Sequence, residues 1–288
     1  MNYFTTKQLS KHIYSITDLS MTHSFLVVGS DRAALIDTGT GVGDLYGYIQ
    51  EMTDLKDLPL IVLGTHGHLD HMGGSDGFDM VYLNEKDLDI AREITVEERV
   101  GYTRQMQETV RQFQPEAWTE IHEEDFLPVR TRPYVLLKDG AEFDLGGITV
   151  QALPFPGHTQ GSMVMLFKEE RSIILGDACN TNVFLFFDHS SSVSAYKRTM
   201  EAFRDKYSAM YDTVYLSHGP EIVAKSVLDD CIELCDEILA GTDDKIPFDF
   251  NGTEAMQAKA TSGWGARADG KVGNIVYNPN KLRDDDAL

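Results

Sequence analysis

The stretch Thr65-His66-Gly67-His68-Leu69-Asp70-His71-Met72-Gly73-Gly74 concentrates four side chains of the kinds that bind metal ions. They are His66, His68, Asp70 and His71. The apolar run just before them, residues 58–64, contains β-branched residues and predicts a buried strand that ends where the ligands begin. Imidazole nitrogens suit zinc, iron or manganese, and a carboxylate among them adds charge for a second ion. The stretch therefore predicts a metal-binding loop between a strand and a helix.

Four further strand-like runs end in Asp or His, each with a small residue close by. These endings are Asp37, His158, Asp177 and His218. Open α/β sheets bind ligands outside the carboxyl ends of their strands, so we expect the five endings to converge on one rim. This recurrence favours a metal site over a loop that is rich in histidine by chance.

In this order, the five motifs resemble those of the metallo-β-lactamase superfamily, from about residue 12 to residue 220. The resemblance implies an α/β (α+β) fold, which is a four-layer αβ/βα sandwich with two central mixed sheets. It also implies a metal-dependent hydrolase with a dinuclear centre.

The resemblance further implies three ligands for each metal ion and one ligand that bridges both. The first ion would be bound by His66, His68 and His158, the second by Asp70, His71 and His218, and the bridge would be Asp177. Asp37 would lie outside the ligand set and support the ligand loop, as partners of ligating histidines do. The expected cofactors are two zinc ions, with iron or manganese equally compatible with these ligands.

Two positions separate this chain from other subgroups of the superfamily. Enzymes that hydrolyse β-lactams most often have cysteine where this chain has Asp177, whereas Cys179 lies two residues beyond. Di-iron, oxygen-reducing relatives usually have glutamate in place of His68. The pattern is instead similar to the glyoxalase II, acyl-homoserine lactonase and RNA-processing branches, which implies hydrolysis rather than redox chemistry.

The expected reaction needs no side-chain nucleophile, because two metal ions can share a hydroxide at neutral pH. Asp70 is the candidate catalytic residue, placed either to orient that water or to accept its proton. We expect cleavage of an ester, a lactone or a thioester. A phosphodiesterase or sulfatase-type hydrolase, and a non-catalytic metal-binding scaffold, remain alternatives. The glutathione thioester of glyoxalase II relatives is less favoured, since acidic residues fill the region 229–244 where those relatives have basic ones.

The formal net charge of -21 comes from 46 acidic and 25 basic residues. An acidic surface repels phosphate backbones, which need clustered Lys and Arg for binding. We therefore expect a small-molecule substrate and no nucleic acid partner, while the sequence leaves the oligomeric state open.

The motifs span most of the chain without a Pro-, Gly- or Ser-rich linker, so we expect a single domain over residues 1–288. Apolar spacing predicts helices over 193–207 and 221–239. A helical insertion at about residues 85–133 would form a partial lid over the metal rim, and a C-terminal hairpin is expected at about 261–278.

Beyond the ligands, Phe184, Phe186 and Phe187 follow Asp177 closely and are candidates for the wall of an apolar substrate pocket. Ordinary core packing is the alternative. Three weaker pocket candidates are His23, His189 and Tyr196.

We expect a cytoplasmic protein that does not associate with membranes. The sequence has no apolar stretch of the roughly 18 to 20 residues that a membrane span needs, and its first residues lack the apolar core of a signal peptide. Its three cysteines fit a reducing compartment. Cys231 and Cys235 would share a helix face, where packing is favoured over metal binding.

Overall fold

The computed structural model describes residues 3–52, 58–114, 118–250, 252–262 and 266–284. The chain divides into two compact units, residues 1–151 and 152–288. The division falls inside the strand Thr149–Pro154. Residues 115–117 of the expected insertion and 263–265 of the expected hairpin lie outside the described residues.

The first unit is built on a seven-stranded sheet, whose strands follow one another in chain order. These strands are β1 (Thr5–Gln8), β2 (Ile13–Thr17), β3 (His23–Val28), β4 (Ala33–Ile36), β5 (Leu60–Leu63), β6 (Val81–Leu83) and β7 (Val135–Leu136). The helices are α1 (Leu45–Met52), α2 (Leu69–Met72), α3 (Leu88–Glu93) and α4 (Val96–Arg111). Short 3₁₀ turns span Ser75–Gly77, Glu85–Asp87 and Glu123–Asp125.

Strands β1 to β4 form an antiparallel meander, and β4 to β7 then pair in parallel. The sequences of β4 and β5, Ala-Ala-Leu-Ile and Leu-Ile-Val-Leu, are typical of parallel strands covered on both faces. Because parallel strands need crossover connections, the chain returns through α1 after β4 and through α2 after β5. Asp37 and the histidine-rich loop therefore both follow the carboxyl ends of neighbouring strands.

The second sheet has six strands in the order β14-β13-β11-β10-β9-β8. The remaining strands of the chain are β8 (Glu142–Asp144), β9 (Thr149–Pro154), β10 (Met163–Phe167), β11 (Ser172–Ile174), β12 (Val183–Leu185), β13 (Thr213–Tyr215), β14 (Ile222–Val223), β15 (Ile246–Phe250), β16 (Thr253–Gln257), β17 (Thr261–Ser262), β18 (Ala266–Arg267) and β19 (Ile275–Tyr277). The helices of the second unit are α5 (Val193–Tyr207) and α6 (Val227–Ala240), and a 3₁₀ turn spans Ser208–Met210.

Both large sheets are mixed, since β11 pairs in parallel with β13 while its other neighbour, β10, is antiparallel. The expected α/β class with two mixed sheets is thus confirmed. The second unit adds a four-stranded sheet, in the order β12-β19-β16-β15, that the sequence analysis did not predict.

The strands in the region expected to form a C-terminal hairpin, about residues 261–278, belong to two different sheets. Strand β17 pairs with β18, but β19 joins the four-stranded sheet instead of closing the hairpin. Its residues Ile275–Tyr277 are buried there, between β12 and β16. Burial of this apolar strand explains why the hairpin ends before it.

Each unit has its own apolar core, formed where its sheets pack against its helices. Helix α4 begins at a capping box made by Thr95 and Glu98, and α5 begins after the cap Ser192. Among the described helices, none combines the length and the apolar character required to cross a bilayer.

Candidate metal centre

Asp37 holds the histidine-rich loop of the first unit. Its Oδ1 accepts a hydrogen bond from the Thr65 backbone at 2.7 Å, and its Oδ2 accepts one from the Thr65 hydroxyl at 2.7 Å. The same Oδ2 lies 2.8 Å from His71 Nδ1, which must carry its hydrogen because a carboxylate only accepts. Asp37 is fully buried, so no solvent competes for these bonds. The aspartate after β4 thereby fixes the loop after β5.

The same contacts set the hydrogen positions on two histidine rings. The Thr65 hydroxyl donates to Asp37, so it accepts from His66 Nδ1, which lies 3.1 Å away. His66 and His71 therefore both carry hydrogen on Nδ1 and a lone pair on Nε2. This is the tautomer that metal-binding histidines have when a protein partner orients them.

Close backbone approaches shape the loop on its other sides. The Gly67 amide donates to Asp87 Oδ2 at 2.9 Å, and a Cβ at Gly67 would lie 2.6 Å from the Asp87 carbonyl oxygen. At Gly73 a Cβ would lie 2.4 Å from the Leu69 oxygen and 2.5 Å from the Thr40 oxygen. Only glycine fits at these two positions, which explains the glycines that flank the ligands.

His66 and His68 bring two ring nitrogens together, Nε2 and Nδ1, at a distance of 3.1 Å. Asp70 Oδ2 lies 3.7 Å from His71 Nε2 and accepts a hydrogen bond from the Tyr102 hydroxyl at 2.9 Å. Asp70 itself is only 8% exposed. Imidazole nitrogens together with one carboxylate oxygen are the ligand chemistry that zinc, iron and manganese share.

The second unit brings together its own three predicted ligands. Asp177 Oδ2 lies 3.9 Å from His158 Nε2 and 3.3 Å from His218 Nε2, so one carboxylate oxygen stands between two imidazoles. Asn180 donates to the other oxygen, Oδ1, at 3.3 Å. This geometry fits a carboxylate that bridges two metal ions.

His158 is oriented by main-chain atoms. Its Nδ1 lies 2.7 Å from the carbonyl oxygen of Phe184, which can only accept, so the lone pair is again on Nε2. The Ser190 hydroxyl donates to the His158 carbonyl oxygen at 2.7 Å. Each of the seven predicted ligands also belongs to at least one group of His and Asp side chains that could hold a metal ion.

The three phenylalanines predicted after Asp177 lie in an aromatic cluster of the second unit. Phe186 is buried, whereas Phe184 and Phe187 are half-buried. Phe248 and Phe250 of β15 complete the phenylalanine cluster, with ring centroids 5.7 Å and 5.5 Å from Phe184. The Phe187 ring lies 6.0 Å from the ring of His158, so the cluster adjoins a predicted ligand.

The other three pocket candidates have different surroundings. His23 is buried at the start of β3, with Nδ1 2.8 Å from the Thr17 hydroxyl. His189 stacks on Phe187 at 5.2 Å, and burial together with the nearby His158 lowers the pKa of His189 to about 4, so its ring is neutral at pH 7. Tyr196 is fully buried, and its hydroxyl donates to the Ala178 carbonyl oxygen at 2.6 Å. Tyr196 thus supports the backbone next to Asp177.

Several residues of this region carried no signal in the sequence analysis. They are Tyr102, Asp87, Asn180, Phe248 and Phe250. None belongs to a ligand motif, and all except Asn180 reach their partners through packing of elements distant in sequence. Asn180, three residues after Asp177, had the nearest available signal, because short polar side chains often bond locally.

The sequence matches the family described as the metallo-beta-lactamase superfamily over residues 17–218, more than half of the chain. Acyl-coenzyme A thioesterase MBLAC2 of Homo sapiens is 28% identical over 186 residues, which cover 62% of this chain and 65% of the relative. An atrochrysone carboxyl ACP thioesterase of Aspergillus chevalieri is 26% identical over 160 residues, covering 55% of this chain and 40% of the relative. The chain therefore matches less than two thirds of the length of either relative.

Among solved structures, the metallo-beta-lactamase from Pontibacter korlensis aligns with a TM-score of 0.57 and 17% sequence identity. The alignment covers 80% of this chain and 97% of that one, and at this identity it shows a common fold. The order of the five motifs, the family match and the common fold agree: the chain belongs to the metallo-beta-lactamase superfamily.

Proposed function

We propose that the protein is a metal-dependent acyl hydrolase that cleaves a thioester, an ester or a lactone at a dinuclear centre. The observation that carries the proposal is the fixed tautomer of His66, His71 and His158, each with a protein acceptor at Nδ1. Acceptors that orient ligating histidines are characteristic of built metal sites. Histidines that lie close together by chance would not all have a protein acceptor at Nδ1.

The proposed ligand set has three side chains for each ion and one bridge. His66, His68 and His158 would bind the first ion, Asp70, His71 and His218 the second, and Asp177 both. Support comes from the short contacts between donor atoms within each unit and from the match of the motif order to the superfamily. The ligand set suits zinc, with iron and manganese equally compatible.

Two divalent ions bound there would supply Lewis acidity and lower the pKa of a water molecule to about 7. The chain itself would supply orientation and exclusion of bulk water. Asp37 and Thr65 hold two imidazoles in the ligand form, and Asn180 holds the bridging carboxylate. Asp70 is the residue we propose to orient the attacking water or to accept its proton.

An acyl substrate is supported by the names of the relatives and by the phenylalanine cluster. Two relatives are named as thioesterases, one for acyl-coenzyme A and one for an acyl carrier protein. The half-buried rings of Phe184 and Phe187 offer apolar contact beside His158, which suits the acyl part of a substrate. A thioester is therefore favoured over a lactone as the substrate. The acidic region 229–244 still disfavours a glutathione thioester.

The three cysteines are free and buried, which fits a reducing compartment and supports the expected cytoplasmic location. Their burial among apolar residues also favours packing over a metal site.

The test is a hydrolysis assay with zinc-loaded protein against acyl thioesters, acyl esters, lactones, a phosphodiester, an alkyl sulfate and a β-lactam. We expect turnover of one acyl class that a chelator abolishes and added zinc restores. Turnover confined to the phosphodiester or the alkyl sulfate would contradict the acyl assignment.

The variant Asp177→Ala separates the enzyme from a metal-binding scaffold. We expect it to lose turnover, because the proposed bridging carboxylate is removed. Absence of turnover in both the original chain and the variant, across the whole panel, would favour the scaffold.

A further inference from the structure

Tyr102, on helix α4 of the expected insertion, contacts a proposed metal ligand of the histidine-rich loop. The hydroxyl of Tyr102 donates to Asp70 Oδ2 at 2.9 Å. The same oxygen lies 3.7 Å from Nε2 of His71, which is the other ligand proposed for the second ion within this unit. A carboxylate oxygen has two lone pairs, so it can accept from a hydroxyl and also bind a metal ion.

We propose that Tyr102 is a positioning residue that holds Asp70 in the geometry of a metal ligand, which makes α4 part of the metal centre. The inference rests on the proposed dinuclear site. It assigns to the insertion a role in metal binding, beyond that of a cover over the site.

The position of Tyr102 is fixed by the rest of α4. Arg99, three residues earlier, is fully buried. Its terminal guanidinium nitrogens donate to three backbone oxygens outside α4, to Gly73 at 2.7 Å, to Leu127 at 2.7 Å and to Thr40 at 3.3 Å, and its Nε donates to the Thr95 oxygen at 3.3 Å. Gly73 follows the ligands on the same loop, so Arg99 and Tyr102 connect α4 to both Gly73 and Asp70. The capping box of Thr95 and Glu98 fixes the start of the helix.

Anchoring of this kind gives the hydroxyl a defined direction. A tyrosine on a loosely attached helix would lose much of its hydrogen bond to conformational averaging. Here the guanidinium donates to the carbonyl groups of Gly73, Leu127 and Thr40, which all lie outside α4, so detaching α4 would break these hydrogen bonds. The Tyr102 hydroxyl is therefore preorganised toward Asp70 before any metal ion binds.

The test compares Tyr102→Phe with the unaltered protein. The substitution keeps the half-buried ring and removes only the hydroxyl. The matched control is Tyr46→Phe, because Tyr46 is exposed on α1 with its ring 5.9 Å from Phe78 and takes no part in the metal centre. Binding of the first and second zinc ions is measured by competition with a chromophoric chelator.

Two further measurements separate metal binding from general stability. The first is the melting temperature of metal-free protein, and the second is the visible absorption of cobalt-substituted protein, which reports the ligand geometry of the ion. For Tyr102→Phe we expect roughly 10- to 100-fold weaker binding of the second ion, an altered cobalt spectrum and an unchanged metal-free melting temperature. Tyr46→Phe should match the unaltered protein in zinc affinity, in the cobalt spectrum and in the metal-free melting temperature.

The outcomes are distinct. Equal affinity and equal cobalt spectra for Tyr102→Phe and the unaltered protein would overturn the positioning role. A lower metal-free melting temperature with unchanged metal affinity would also overturn it, since Tyr102 would then serve packing alone. An unaltered protein that binds fewer than two ions would overturn the dinuclear centre and this inference with it.

Discussion

Asp37 orients the ligand loop from an unusual backbone conformation, with φ of +62°. Aspartate is one of the few residues besides glycine that adopt this left-handed region readily. Its fully buried carboxylate accepts from Thr65 and His71, and through the Thr65 hydroxyl it also orients His66. One side chain thus determines the tautomer of two proposed ligands.

The substitution Asp37→Asn should weaken zinc binding by about 10- to 100-fold. Asparagine tolerates the same backbone conformation, but one of its acceptor oxygens becomes an amide that only donates. An amide nitrogen at the Oδ1 position leaves the Thr65 backbone amide without its acceptor, and one at the Oδ2 position leaves both the Thr65 hydroxyl and His71 without theirs. Zinc affinity would be measured by equilibrium dialysis, with Asp144→Asn as the control, since Asp144 is exposed at the end of β8 and its Oδ1 accepts a hydrogen bond from the Gly146 amide at 2.9 Å. Equal affinity for the two variants would contradict the prediction.

Gly157, which precedes His158, lies against the ring of Tyr196. A Cβ at Gly157 would lie 2.3 Å from Cδ2 and 2.8 Å from Cε2 of Tyr196, and that ring is fully buried. We expect Gly157→Ala to lower the free energy of unfolding by about 1 to 3 kcal/mol, because either the Tyr196 ring or the loop that contains His158 must move.

Urea denaturation measures this change, and Gly101→Ala is the opposite control. Gly101 lies inside α4, and a Cβ there would meet nothing within 4 Å. The control should stabilise the protein by about 0.5 to 1 kcal/mol, since alanine favours helix over glycine. A neutral Gly157→Ala would show that the contact with Tyr196 relaxes freely.

At the scale of elements, the sequence predicts what local patterns encode. Helix α5 spans Val193–Tyr207 as predicted, because its apolar spacing lies within the segment and its cap Ser192 immediately precedes it. Helix α6 begins at Val227 instead of residue 221, since Ile222 and Val223 pair with β13. Strand formation by so short a segment depends on its tertiary surroundings, which local periodicity does not reveal.

The same distinction between local sequence patterns and tertiary packing applies to the proposed metal site. The ligand candidates and Asp37 follow strand ends and can be identified from motif order. The Tyr102 contact and the Phe184 carbonyl that orients His158 cannot, because they depend on packing and on main-chain geometry. Strand β15 likewise brings Phe248 to the cluster from more than 60 residues away in sequence.

The phenylalanine cluster should select substrates by the length of their acyl chain. We expect Phe187→Ala to lower kcat/KM for an octanoyl thioester about tenfold relative to an acetyl thioester, because partial contact with this half-buried ring is worth roughly 1.4 kcal/mol. The ratio of the two substrates cancels any effect on His158. Phe143→Ala, at a half-buried ring on β8, is the control. An unchanged ratio would exclude the cluster as the acyl site.

At the scale of the whole molecule, the net charge of -21 acts on every substrate that approaches. An anionic thioester is repelled before it reaches the centre, whereas a neutral one is not. Salt shortens the range of this repulsion, from roughly 30 Å at 0.01 M to roughly 8 Å at 0.15 M. The charge therefore affects rates of association more than chemistry.

We expect kcat/KM for an anionic acyl thioester to rise several-fold over this range of ionic strength, while the value for a neutral thioester stays constant. Stopped-flow or initial-rate measurements at low substrate concentration would check this. A fall with added salt for the anionic substrate would instead indicate a local basic surface that attracts it.

The cysteines give the chain a chemical reporter of local opening. All three, Cys179, Cys231 and Cys235, are fully buried in the core of the second unit, and the first 151 residues contain none. A thiol reagent can therefore label the native protein only when that core opens, at a rate set by the opening equilibrium. Labelling followed by mass spectrometry would report local opening of residues 152–288 alone, because the natural cysteines serve as the probes.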